Sequence, residues 1–158
     1  MNRRQITATS LLLLALPLRA LAQENTPTDV VAWSASASPV DAAPGERLYR
    51  LQLTGRIANG YIVYGSNFSA DMGPRPTRLR LDATAVTPRE PLQSIETHKG
   101  QDKVFKSAYT YFEGQAKLSQ LIAVGPGIRI ITGKVVGQTC HEADGTCVLF
   151  SAPFEVSL

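Results

Sequence analysis

The chain holds only two cysteines, Cys140 and Cys147, inside the segment QTCHEADGTCVLF that runs from Gln138 to Phe150. Two thiols this close can form a bond that staples a fold, or a redox pair that opens and closes. Spacing limits how they can meet. If Asp144-Gly145 made a two-residue hairpin turn, Cys140 would face Leu149 and Cys147 would face Glu142, putting the cysteines on a diagonal. Diagonal neighbours lie roughly 7 to 8 Å apart, whereas a disulfide usually takes about 5.5 to 6 Å between Cα atoms. A wider turn from His141 to Thr146 places the two directly opposite one another, where a bond can bridge adjacent strands. The expectation is therefore a bulged or widened turn closed by a disulfide. Such a bond constrains a very short loop, so its entropic contribution falls below the roughly 3 kcal/mol of a 15-residue loop. Spacing alone leaves staple and redox pair both open.

Other chemistry fits these residues less well. A soft metal site would draw His141 and either His98 or Met72 to the cysteines, but there is no C-x-x-C and no H-x-H cluster. A cysteine nucleophile of protease type needs one free thiol beside a base, and two nearby cysteines in an oxidising compartment pair instead. Phosphate-cradling glycine motifs are absent from the sequence. No cofactor or metal is expected beyond the cysteines themselves.

The oxidising compartment is read from the start of the chain. Residues 1–22 carry Arg3 and Arg4, an apolar run from Leu11 to Leu18, and Ala20-Leu21-Ala22 in the pattern of a signal-peptidase site. That run is well short of the roughly 20 residues needed to span a bilayer, and Arg19 ends it. The expectation is an exported, soluble protein without membrane insertion after cleavage. Arg3, Arg4 and Arg19 account for the whole formal charge of +3, leaving 13 basic residues against 13 acidic. Nucleic acid and anionic membrane surfaces, which need clustered positive charge, lose their support as partners.

The elements that must position the cysteines are strands. Apolar residues alternate with polar ones at Tyr49, Leu51 and Leu53, at Leu79 and Leu81, and at Phe154, Val156 and Leu158. Further strand-like runs are Val30 to Ala37, Tyr61 to Tyr64, Ala108 to Phe112, Leu118 to Val124 and Ile128 to Val136. Turn chemistry separates them at Pro44-Gly45, Asn59-Gly60, Glu113-Gly114 and Gly125-Pro126-Gly127. Seven to nine short strands without a helical face predict an all-β fold, an immunoglobulin-like antiparallel β-sandwich, with an up-and-down barrel as the competitor. The predicted organisation is a signal over 1–22, a flexible lead-in over 23–30 and one domain over 31–158. Two long loops, Gly65 to Thr77 and His98 to Lys106, are the places where binding residues tend to sit.

Several segments in order resemble a known family, the amino-terminal periplasmic domain of the thiol:disulfide interchange protein DsbD, or disulfide bond corrector domain. They are Val31-Ala32-Trp33, Asn59-Gly60-Tyr61-Ile62-Val63-Tyr64, Gly73-Pro74-Arg75-Pro76-Thr77, Asp102-Lys103-Val104-Phe105, Tyr111-Phe112-Glu113-Gly114 and Val136-Gly137-Gln138-Thr139-Cys140. The resemblance implies a redox pair in which Cys147 forms the mixed disulfide and Cys140 resolves it. It implies a cap loop at Asp102, Lys103, Val104 and Phe105, and active-site surroundings that include Tyr61, Tyr64 and Gln138. It further implies a periplasmic monomer whose partners are a membrane-embedded electron transducer and exported oxidoreductases of thioredoxin fold, among them those of cytochrome c maturation. The sequence departs from the family pattern where Val148-Leu149-Phe150 follows the second cysteine in place of prolines, and where Val104 stands at a phenylalanine position. The reading from a different class is a periplasmic binding or scaffold module with a structural disulfide, whose two long loops engage a partner.

Overall fold

The computed structural model describes residues 30–69 and 72–158, so the predicted export signal and all of the predicted lead-in but Val30 lie outside the described residues. Val30, the last residue of the predicted lead-in, is buried, and its carbonyl accepts the Ala58 amide at 2.8 Å. Among the described residues no helix is long and apolar enough to cross a membrane.

Among the described residues eleven strands form two antiparallel sheets: β1 (Val31–Val40), β2 (Leu48–Ile57), β3 (Tyr61–Tyr64), β4 (Arg78–Leu81), β5 (Val86–Pro88), β6 (Gln93–Ser94), β7 (His98–Gln101), β8 (Ala108–Glu113), β9 (Gln115–Val124), β10 (Ile130–His141) and β11 (Cys147–Ser157). One sheet runs β1-β2-β9-β5, with β6 also on β9; the other runs β11-β10-β3-β8-β7, with β4 also on β10. Two separate sheets make a sandwich and rule out the single closed sheet of a barrel. The strand count exceeds the predicted seven to nine because β5, β6 and β7 have three, two and four residues. Segments so short show no measurable period, and β7 occupies part of the loop predicted from His98 to Lys106.

The core follows the alternation. Leu51 and Leu53 from β2 and Leu118 and Ile122 from β9 meet Val63, Phe112, Ile131 and Val135 from the other sheet, all buried almost completely. Trp33 on β1 stacks on Phe150 of β11 with ring centroids 6.0 Å apart, joining the edge strands of the two sheets. On β10 the small residues Gly133 and Gly137 lie opposite Phe154 and Phe150. A Cβ at Gly137 would approach the Phe150 ring within 2.9 Å, so the glycine provides the room that the aromatic ring fills.

The fold positions the cysteines through β10 and its two neighbours. β10 pairs with β11 along its whole length and with β3 at Thr139, Cys140 and His141. Thr139 and Val63 are fully buried in the core, so their neighbours Cys140 and Ile62 point to the opposite, outer face of this sheet.

Candidate functional site

Cys140 and Cys147 form a disulfide between directly paired residues of β10 and β11, with Cα atoms 4.0 Å apart. The turn is the wide one: the His141 amide donates to the Thr146 carbonyl, and the Gly145 amide donates back to the His141 carbonyl, both at 2.9 Å. Gly145 closes it at a φ of 72°, which glycine adopts without a Cβ penalty. Asp144 fixes the corner by accepting the Thr146 amide at 2.8 Å, and this bond, with smaller help from His141, holds its carboxyl below the usual range. The Glu142 amide donates to the Gly60 carbonyl at 2.8 Å, tying the turn to the start of β3.

The two sulfurs are in unlike surroundings. Cys140 is 5% exposed, whereas Cys147 lies open at the strand end. Above Cys140 stands Tyr64, whose hydroxyl donates to the Sγ atom at 3.5 Å. Burial first, then the neighbouring Tyr109 and Asp102, push the Tyr64 phenol above its ordinary value, so it stays a protonated donor throughout the neutral range. The Tyr64 ring is held edge-on by Tyr109 at 5.2 Å and by Phe68 at 6.4 Å, and Tyr111 lies 5.9 Å from Tyr109. These aromatic rings sit on the outer face of the cysteine-bearing sheet, away from the sandwich core.

The remaining residues singled out in the sequence are distributed around this centre. Gln138 lies next to Cys140 along the outer face, where its Oε1 accepts the Arg75 amide at 2.8 Å and so pins the Gly65 to Thr77 loop beside the disulfide. Tyr61 is three residues from Tyr64 and faces the core side, packing on His141 with centroids 4.8 Å apart, so it supports the turn and not the sulfurs. Asp102 begins the loop between β7 and β8, and its Oδ1 accepts the amides of Val104 and Phe105 at 2.9 and 2.7 Å. Lys103 lies in the same turn, while Val104 is 79% and Phe105 47% exposed. Phe105 lines a groove with Leu149 and Met72 beside the disulfide. Cys147 remains exposed with the loop in this position.

Sequence reasoning missed Tyr109, Phe68 and Leu149. Leu149, 56% exposed, was visible as an apolar residue two positions after Cys147 and therefore on the same face of β11. The aromatic cluster gave no local signal, because Tyr64 and Tyr109 come together through the pairing of β3 with β8.

No protein-family model and no curated protein matches the chain. Solved structures do. The N-terminal domain of Neisseria meningitidis DsbD in the reduced form superimposes with a TM-score of 0.54 at 17% identity, covering 85% of this chain and 90% of that one. The N-terminal periplasmic domain of ScsB from Proteus mirabilis matches with a TM-score of 0.51 at 11% identity, covering 81% of this chain and 45% of that one, so this chain spans less than half of it. The likeness is one of backbone architecture: this chain has the immunoglobulin-like fold of a DsbD-type amino-terminal domain.

Proposed function

We propose that this protein is a thiol-disulfide interchange module, with Cys147 as the sulfur that partners attack and Cys140 as its leaving and resolving partner. The observation that carries the reading is the asymmetry of a surface disulfide, with Cys147 open to solvent and Cys140 buried beneath a hydroxyl donor. A structural bond in a sandwich of this size gains most by joining the sheets or distant strands; this one spans adjacent strands of one sheet, outside the core. The Neisseria DsbD domain of the same fold has a reduced form, which fits a pair that opens.

The exchange balances as follows. A partner thiolate attacks Cys147 Sγ in line with the Cys140 sulfur, the intramolecular bond breaks, and Cys140 leaves as a thiolate that the Tyr64 hydroxyl stabilises before it takes up a proton. The partner's second thiolate then attacks its own sulfur in the mixed disulfide and releases Cys147. The partner becomes a disulfide and this domain a dithiol, a transfer of two electrons. In the reverse direction the reduced domain passes its electrons to the next protein. Asp102, with burial and Tyr109, raises the Tyr64 phenol and so helps keep its hydroxyl a proton donor above the sulfur.

In this reading the electrons come from a membrane-embedded transducer or a thioredoxin-like domain and go to exported oxidoreductases of thioredoxin fold, in the periplasm, with the domain acting as a monomer. The loop from Asp102 to Phe105 serves as a movable cap whose exposed Val104 and Phe105 meet the partner. The test is the reduction potential of the Cys140/Cys147 pair in the mature protein, with Cys147→Ser as control. A value between roughly −270 and −180 mV, together with loss of exchange in Cys147→Ser, is expected of a carrier. A value below about −300 mV marks a bond that resists reduction and overturns the proposal.

A further inference from the structure

Beside the disulfide, on the same outer face, lies a groove of about 640 Å³ lined by Arg75, Arg78 and Arg80 together with Met72, Phe105 and Leu149. Arg78 and Arg80 alternate on β4 with Leu79 and Leu81, which pack toward the core, and they pair with Val136 and Lys134 of β10. Val136, Gln138 and Cys140 share one face of β10, so the arginines lie in line with the buried cysteine. At about 3.3 Å per residue, Arg78 is opposite a point about 13 Å from Cys140 and Arg80 opposite one about 20 Å away. Arg75 is closer, since its amide is held by Gln138 two residues from Cys140.

No ion pair among the described residues engages Arg75, Arg78 or Arg80. The acidic residues around the strip are Asp102, whose carboxylate holds the Val104 and Phe105 amides, exposed Asp82, two residues beyond Arg80 with its amide on the Thr132 carbonyl, and Glu155, opposite Thr132 on β11. Exposed Met72, Phe105 and Leu149 add apolar anchor points around the charges. Arginine, methionine and aromatic residues are the types enriched in protein interfaces, and a guanidinium fork is satisfied best by a carboxylate.

We infer that this groove is a docking strip for a thiol-bearing protein segment with carboxylates two to six residues from its reactive cysteine. The inference deepens the exchange reading and rests on it for the role of the cysteine. With the partner cysteine at Cys147 Sγ, an extended segment running along the outer face brings successive carboxylates to Arg75, Arg78 and Arg80. A neutral or basic segment leaves the three guanidinium groups partly desolvated without a counter-charge, which selects against it.

The test uses three acetylated heptapeptides, each with one cysteine followed by glutamate, glutamine or lysine at every second position. The rate at which each reduces the Cys140–Cys147 bond, two peptide thiols becoming one disulfide, is divided by the rate for dithiothreitol on the same protein. At low salt the glutamate peptide is expected to be about tenfold faster than the glutamine peptide, the lysine peptide slower than both, and the differences to shrink as salt is raised. In the combined Arg75→Gln, Arg78→Gln and Arg80→Gln variant the glutamate advantage should vanish, while Arg78→Lys with Arg80→Lys should keep part of it. Equal rates for the glutamate and glutamine peptides, or an advantage that survives the triple substitution, overturn the inference. A glutamate peptide with serine in place of cysteine separates docking from exchange. If it binds in an arginine-dependent way while dithiothreitol leaves the disulfide intact, docking stands and the exchange reading falls; if dithiothreitol reduces the bond but the acidic peptides neither bind nor gain rate, the reverse holds.

Discussion

The two faces of the β10–β11 ladder have opposite tasks. On the inner face Ile131, Val135 and Thr139 are fully buried, and the rings of Phe150 and Phe154 fill the space above Gly137 and Gly133. On the outer face the same two strands carry Gln138, Cys140, Cys147 and exposed Leu149, with a tyrosine hydroxyl above one sulfur and open solvent at the other. Every second residue therefore serves stability, and the residues between them serve chemistry. Substitutions one residue apart should affect different properties, since neighbours along a strand share no side-chain contacts.

The largest effect that sharpens this contrast is on the inner face. Phe154→Ala removes a buried ring over a glycine, where the backbone cannot close the gap, and is expected to cost about 3 to 5 kcal/mol of unfolding free energy in a denaturant titration. The reduction potential of the cysteine pair should remain at the parent value while the protein is folded. A potential that moves with Phe154→Ala breaks the separation of the two faces. Next in size is loss of the disulfide. Replacing both cysteines by alanine opens a very short loop and should cost less than about 3 kcal/mol, leaving a folded protein that exchanges no disulfide with any thiol. Complete unfolding of that variant at room temperature would make the bond a staple and undo the distinction.

The inner face was legible in the sequence, because alternation at Tyr49, Leu51 and Leu53 and at Phe154, Val156 and Leu158 is a local signal of a half-buried strand. The wide turn was legible too, since only a loop from His141 to Thr146 sets Cys140 opposite Cys147. The outer face was less so. Tyr61 and Tyr64 were expected together near the sulfurs, yet three residues of strand place them on opposite faces, and only Tyr64 reaches Cys140. Of the rings that hold Tyr64, Tyr109 comes from about forty-five positions away, through the pairing of β3 with β8, and Phe68 from the loop after β3. Arg78 and Arg80 read simply as the polar side of a strand until β4 was seen against β10, in line with the cysteines.

A medium effect is expected at Tyr64, the residue that couples the aromatic outer face to the buried sulfur. Tyr64→Phe keeps the ring and removes one hydrogen bond, a change on the order of 1 kcal/mol, but the loss is greater when Cys140 carries charge. The Cys140 thiol in the reduced protein should titrate higher in Tyr64→Phe, and exchange should slow, both readable from thiolate absorbance against pH and from stopped-flow rates. The phenol also gives a stability signature. Its folded value lies above the unfolded one, so its contribution is present below about pH 10 and is lost as pH rises through the folded value. The parent should therefore weaken relative to Tyr64→Phe in alkaline melts, and parallel alkaline limbs for the two proteins count against a buried protonated phenol.

The smallest effect belongs to the turn that joins the two strands. Asp144 accepts the Thr146 amide, and that bond lowers its carboxyl, so the carboxylate stabilises the folded turn above the unfolded carboxylate range and ceases to do so as pH falls through the lowered folded value. Asp144→Ala leaves the Thr146 amide to water on an exposed surface and alters neither the core packing of Phe154 nor the Tyr64 donor. Thermal melts of parent and variant should differ slightly at neutral pH and converge below the ordinary carboxylate range, with the reduction potential almost the same in both. If instead Asp144→Ala shifts the potential as much as Tyr64→Phe does, the turn sets the strain or access of the disulfide. Control of the chemistry would then lie in the loop between the strands and not in the outer face they present.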